Sequence, residues 1–148
     1  MSHHAYKLKQ TYIGQLRRGT DLLTGITDYI IKNKITVGEV RGLGAVSKAV
    51  VMYFNQKTEA YESITFDEQL EILSLYGNIS MKEYDPFPHL HITLGNRKGQ
   101  AFGGHLAEGT IVYVAEIMIH EFEGSKLVRE RDNKTGLYLW DYQRELIV

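Results

Sequence analysis

Half of the six histidines fall in one short stretch, PFPHLHITLGNRKGQAFGGH, as His89, His91 and His105. Neutral imidazole is a ligand for zinc, nickel, iron and copper. Three imidazoles on one ion with a fourth position open is the layout of a catalytic zinc site rather than a closed structural one. An ion held in that way lowers the pKa of bound water and polarises carbonyls, which points to hydrolase or lyase chemistry. The competing reading is plainer: three polar residues on the wet face of a sheet or at a subunit contact. The chain has no cysteine, so there is no thiolate or disulfide chemistry, and any metal must be held by His, Asp or Glu.

Whether the three rings meet depends on a hairpin. Alternate side chains of a strand face opposite ways, so in HLHITL His89, His91 and Thr93 share one face. Leu90, Ile92 and Leu94 share the other, which must be the core. His89 and His91 are then about 6 to 7 Å apart at Cα. Asn96-Arg97-Lys98-Gly99 has Asn first and Gly last, as a type I turn prefers. A type I turn followed by a left-handed Gly closes a three-residue hairpin loop, here Arg97-Lys98-Gly99, with Asn96 facing Gln100. Counting back along the ladder places His105 opposite His91, with Cβ atoms about 4.5 to 5.5 Å apart. A loop one residue shorter or longer would send His105 to the core face, and Gly103-Gly104 is a place where a bulge would spoil the count.

Other residues carry weaker signals. Glu108 is a candidate ligand or base near the histidines, against a solvated loop carboxylate. Glu116 interrupts an apolar strand, where a charge needs a partner; His120 shares its parity and lies near the strand end. Arg129 and Arg131, two apart, could share a face and bind an anionic ligand, against ordinary ion pairs. Arg41-Gly-Leu-Gly-Ala-Val-Ser47 has the look of a nucleotide loop without the third Gly or a following helix, so a tight strand turn or subunit contact is favoured. No nucleophile elbow and no P-loop is found.

The elements that must position these residues read as an α+β fold, a large, mostly antiparallel sheet with one or two packed helices. Tyr6 to Leu16 is a first strand. Leu22, Leu23, Ile26, Tyr29 and Ile30 recur at helical spacing, which predicts a helix from about Asp21 to Lys34 with Thr20 as N-cap. Strands follow in VRGLGAVSKAVVMYFN, ILSLYGNISM, HLHITLGN, GQAFGGHL and TIVYVAEIMIHEFE, and after a turn at Asn133 to Gly136, in LYLWDY. The apolar run before His120 reads as a central strand buried on both faces. The 148 residues, 43% hydrophobic and 24% charged, suit a single domain spanning 1–148. A net charge of −1 argues against a self-sufficient nucleic-acid binder. No apolar leader and no membrane-length segment occurs, so a cytoplasmic protein with no membrane partner is expected. His3 and His4 receive no role.

RGTDLL, RGLGAVSKAVVMYF, QLEILSLYGNIS, PHLHITLGNRKGQAFGGHLAEGTIV and DNKTGLYLWD together resemble the PPC (plants-and-prokaryotes conserved) domain, over about residues 12 to 142. In plants that domain accompanies AT-hook DNA-binding motifs; in prokaryotes it stands alone and carries a DNA-binding label. The resemblance implies a homotrimer, and a partner-contact role for the segment from Gln69 to Gly77. His89, His91 and His105 fall on the family's histidine positions, which implies that they hold a metal as in some prokaryotic members; by ligand chemistry this is a divalent transition metal, zinc first. The chain departs from the AT-hook pattern: no Arg-Gly-Arg-Pro occurs, and Arg17-Arg18-Gly19-Thr20 is the nearest approach.

Three functions compete. The first is a trimeric regulatory or binding module with a three-histidine metal site, contacting a protein partner or DNA. The second is a metal-dependent enzyme, with Glu108 or Glu116 as base. The third is a structural trimer whose histidines only make hydrogen bonds.

Overall fold

The computed structural model describes residues 5–140. One helix and nine strands occur among them: β1 (Lys7–Leu16), α1 (Leu22–Lys32), β2 (Gly38–Asn55), β3 (Ala60–Phe66), β4 (Leu70–Lys82), β5 (Asp85–Gly95), β6 (Ala101–Leu106), β7 (Ile111–Glu123), β8 (Val128–Arg131) and β9 (Tyr138–Trp140). The architecture is the expected α+β arrangement. All strand pairings are antiparallel except the short contact of β8 with β4.

The long strand β2 organises the sheet. Its first half lies between β4 and β7, and its second half pairs with β3 and β6. Because β4, β5 and β6 also pair in succession, β2, β4, β5 and β6 close on themselves around the core. The closure needs a bend in β2, and the Arg41-Gly-Leu-Gly motif supplies it. Register with β4 slips between Gly42 and Gly44, and Gly44 has φ 143°. A Cβ there would lie 2.1 Å from the Val114 carbonyl oxygen, so only glycine fits. The motif is a strand bend, as favoured above, and not a nucleotide loop.

Helix α1 is amphipathic. Leu22, Ile26 and Ile30, one turn apart, are fully buried and join Leu75, Ile79, Leu90, Ile92 and Leu94 in the core. Burying one such side chain stabilises by about 1.5–3 kcal/mol. The N-cap is Asp21 and not Thr20: its Oδ1 accepts from the Thr24 N–H at 2.9 Å. Its other oxygen accepts from the Gly109 N–H at 2.6 Å, so the cap also holds the β6–β7 loop. An aspartate does both because its two carboxylate oxygens reach in different directions, where threonine has a single hydroxyl oxygen.

Two readings change. β3 was not expected; its exposed pattern carries no clear alternation. β7 is central, between β1 and β2, yet buried on one face within the chain. Its open face carries Tyr113, Glu116 and Met118. The acid with buried surroundings on β7 is Glu121, bound by Lys9 at 2.6 Å and the Tyr12 hydroxyl at 3.0 Å, whereas Glu116 is exposed and has no ion pair among the described residues. The strand expected in LYLWDY is the short β9; Asp141 and Tyr142 lie outside the described residues, as do His3 and His4.

Candidate metal centre

The hairpin between β5 and β6 has the register its turn chemistry predicts. The Gly99 N–H donates to the Asn96 carbonyl at 3.0 Å, and Gly99 is left-handed at φ 75°. The Asn96 side-chain oxygen accepts from the Lys98 and Gln100 amides at 3.0 and 3.1 Å, and the Asn96 amide donates to the Gln100 carbonyl. With the loop so held, His91 pairs with His105, and no bulge intervenes at Gly103-Gly104. Both glycines are needed for close approach: a Cβ at Gly103 would lie 2.0 Å from the Ile92 carbonyl oxygen.

Leu90, Ile92 and Leu94 point into the core, so His89 and His91 project outward together. The three ring centroids are 5.0 to 5.4 Å apart. One ring nitrogen of each lies within 4.8 Å of the others. His91 is exposed; His89 and His105 are half-buried.

The surroundings hold two of the rings neutral. Burial and then the Arg129 charge lower the His89 pKa from 6.5 to about 4, with smaller contributions from His105 and His91. Burial lowers that of His105, with His91 and Arg129 adding to it. Deprotonated imidazole is the form that binds a metal. Donor type, number and spacing therefore fit a divalent transition ion; tetrahedral ligands at 2.0–2.1 Å stand ~3.3 Å apart, a contraction within side-chain rotation.

Arg129 sits at the edge of this cluster. Its Nε donates to the Ser80 hydroxyl at 2.8 Å, its Nη2 to the Asn78 side-chain oxygen at 2.9 Å, and its Nη1 to the Tyr138 carbonyl at 3.1 Å. The same Nη2 lies 3.3 Å from His89 Nδ1. A guanidinium only donates, so this contact needs an unprotonated Nδ1 and has to be given up for His89 to hold an ion through Nε2. Tyr61, from β3, places its ring 5.6 Å from that of His105. A cavity of about 760 Å³ adjoins the cluster, lined by His89, His105, Tyr61, Lys82, Arg129 and the 136–139 segment, with Glu108 on its wall.

The other candidates fall elsewhere. Arg131 is exposed on β8 and does not join Arg129 at the cavity. His120 binds Glu39 at 2.8 Å, and Glu39 also takes Arg41 at 3.0 Å and the Tyr76 hydroxyl at 3.3 Å. Residues that sequence reasoning missed are Asn78, Ser80, Lys82 and Tyr61. Asn78 was within reach, because it is the register partner of His89 across β4 and β5. The turn that sets this register is Glu83-Tyr84, with Glu83 at φ 57°, and neither residue type announces a tight hairpin.

These features define an α+β protein with a mostly antiparallel sheet and a convergent three-histidine cluster beside an open cavity. Residues 3–123 match the Plants and Prokaryotes Conserved (PCC) domain, and the chain belongs to that family. A plant- and prokaryote-conserved (PPC) protein of Pyrococcus horikoshii superposes with a TM-score of 0.89 at 37% identity, covering 95% of this chain and 97% of that one. A metal-containing protein of Archaeoglobus fulgidus does so at 0.89 and 34%, covering 95% and 99%. A protein of Bacteroides thetaiotaomicron, provisionally described as DNA-binding, gives 0.85 and 32%, with 95% and 99% covered. The bifunctional protein GlmU of a Synechococcus strain is 33% identical over 95 residues, 64% of this chain, which spans only 14% of that protein's length. Among the described residues no helix is long and apolar enough to cross a membrane.

Proposed function

We propose that this PCC-domain protein is a homotrimeric regulatory or binding module of the cytoplasm whose working site is a divalent transition metal, zinc first, held by His89, His91 and His105. The observation that carries the reading is the convergence of three imidazoles, two of them held neutral, on the outer face of β5 and β6. The metal-containing relative from Archaeoglobus supports it. The test is metal content per chain by elemental mass spectrometry, on protein purified without added metal. About one ion per chain is expected, and His91→Ala and His105→Ala each lose it. No metal after reconstitution defeats the reading.

An apolar depression supports self-association. Ile13, Leu43 and Leu73, from β1, β2 and β4, stay more than half exposed and line one hollow on the outer face. Light scattering of wild type and Leu73→Lys tests it: a trimer for the first and a smaller species for the second are expected. The segment from Gln69 to Gly77, which contains Leu73, is then shared between self-association and any protein partner. A DNA partner rests on the Bacteroides relative's provisional description. It predicts affinity that falls steeply with salt, and absence of binding at about 50 mM salt removes that partner.

The second reading is a metal-dependent enzyme of hydrolase or lyase type, favoured by the cavity beside the cluster. When bound, the ion would supply Lewis-acid polarisation and water activation. This chain's own contribution is a half-enclosed pocket, the Arg129 charge at one edge, and Glu108 and Tyr61 on the walls as proton-handling groups. Glu116 lies on the open face of β7 and does not line this cavity.

A further inference from the structure

We propose that Arg129 and a metal ion compete for His89, so that ion uptake by the cluster draws Arg129 off His89 and loosens the β8–β9 strand pair that walls the cavity; this rests on the reading of the three histidines as a metal centre. The exclusion follows from the chemistry of the ring. The Arg129 Nη2 lies 3.3 Å from His89 Nδ1, and a guanidinium only donates, so Nδ1 must be unprotonated there. A neutral imidazole has one unprotonated nitrogen. If His89 ligates through Nδ1, that lone pair goes to the ion. If it ligates through Nε2, the proton sits on Nδ1 and meets an Arg129 N–H. In either case the contact is lost. An ion on His89 also sets like charge beside a buried guanidinium, where water screens weakly.

Arg129 is placed to pass the displacement on. Its Nε donates to the Ser80 hydroxyl and its Nη2 to the Asn78 side chain, both on β4, while its Nη1 donates to the Tyr138 carbonyl on β9. These nitrogens belong to one planar, rigid group. Nη2 therefore cannot withdraw from His89 without carrying Nε and Nη1 with it, whatever else the guanidinium touches. The strands that feel this are at the lightly held end of the sheet. Among the described residues β8 meets β4 at Met81–Val128 and Lys82–Arg129, beside a bond from the Met81 N–H to the Leu127 carbonyl at 2.7 Å. The three-residue β9 pairs with β8, and Arg129 itself stands opposite Trp140. Leu137, Tyr138 and Leu139 form that side of the cavity wall. By contrast β5 lies between β4 and β6, and β6 between β5 and β2, so the strands that carry the three histidines are held on both sides.

Coupling of this kind is reciprocal. Ion uptake frees the cavity wall, and a ligand that presses β9 inward and Arg129 onto His89 lowers the affinity for the ion. One residue thus sets both the strength of the metal centre and access to the cavity beside it.

The experiment is hydrogen exchange by mass spectrometry on the full chain with and without zinc, alongside zinc affinity by chelator competition for wild type and Arg129→Met. A ligand that only stabilises the fold slows exchange. Here zinc is expected to slow exchange in β5 and β6 and to speed it about five-fold or more over residues 128–140. His91→Ala, which loses the ion, is expected to show neither change. Arg129→Met is expected to bind zinc about ten-fold or more tightly than wild type; removing a residue that merely braced the site would weaken binding instead. Should the variant fail to fold, the exchange measurement on wild type decides alone. Zinc uptake with exchange over 128–140 unchanged or slowed overturns the proposal and leaves the metal centre standing, as does equal or weaker zinc binding by folded Arg129→Met. No zinc uptake by either protein defeats the metal centre and the proposal with it.

Discussion

Acidification is expected to destabilise the metal-free protein through His89. The folded pKa, about 4, lies below the unfolded value of 6.5, because the ring is half-buried and faces Arg129. Between those values the unfolded chain binds the proton more readily than the folded one, so stability falls as pH drops through 6.5 and levels off near 4. The full difference corresponds to ~3 kcal/mol. Water still reaches the ring, and screening reduces the expected effect to about 1.5 kcal/mol. Urea denaturation of metal-free wild type and His89→Gln, from pH 7 down to pH 4.5, isolates this contribution. The carboxylates that titrate at the lower end are common to both proteins and cancel in the difference. The stability of wild type relative to the variant is expected to fall by about 1.5 kcal/mol over that range. Parallel pH curves, or an NMR titration in which His89 protonates near 6.5, would refute the assignment of burial and Arg129 as the cause.

Gly77→Ala builds a Cβ 1.9 Å from the His89 carbonyl oxygen, so β4 and β5 must separate; a loss of about 1–3 kcal/mol in denaturation, with weakened metal uptake, is expected. Gly99→Ala meets no atom within 4 Å and only strains a left-handed residue, so about 1 kcal/mol with metal uptake retained is expected. Ile26→Ala empties a fully buried position under the sheet and is expected to cost about 2–4 kcal/mol in thermal or urea unfolding, without changing metal stoichiometry. Asp21→Ala removes the helix cap and the Gly109 contact together; a loss of about 1–2 kcal/mol in urea denaturation is expected, and amide exchange at Gly109 is expected to accelerate.

The histidine cluster was legible because everything that builds it is local. Period-two alternation separates His89 and His91 from Leu90, Ile92 and Leu94, and the Asn96–Gly99 turn fixes the return strand within a few residues of chain. A hydrogen-bonded turn with one left-handed glycine admits one register, and that register alone puts His105 with the other two. The helix was legible on the same ground, through its 3.6-residue stripe; its cap was misassigned by one residue because Asp21 is also held by a loop far along the chain.

What surrounds the cluster was decided by the tertiary structure. Arg129 reaches His89 only because β8 docks parallel to β4, a pairing between segments more than forty residues apart that no local pattern encodes. Arg131, its equal in sequence, is left in solvent. Lys82 and Tyr61 join the cavity through β4 and through a strand with no alternation to reveal it. Local rules act through neighbouring dihedrals and hydrogen bonds, and the sequence states them directly. Long-range pairing is chosen by how the whole core closes, here by the bend of β2 at Gly44, and so the neutral state of His89 exists only in the folded chain.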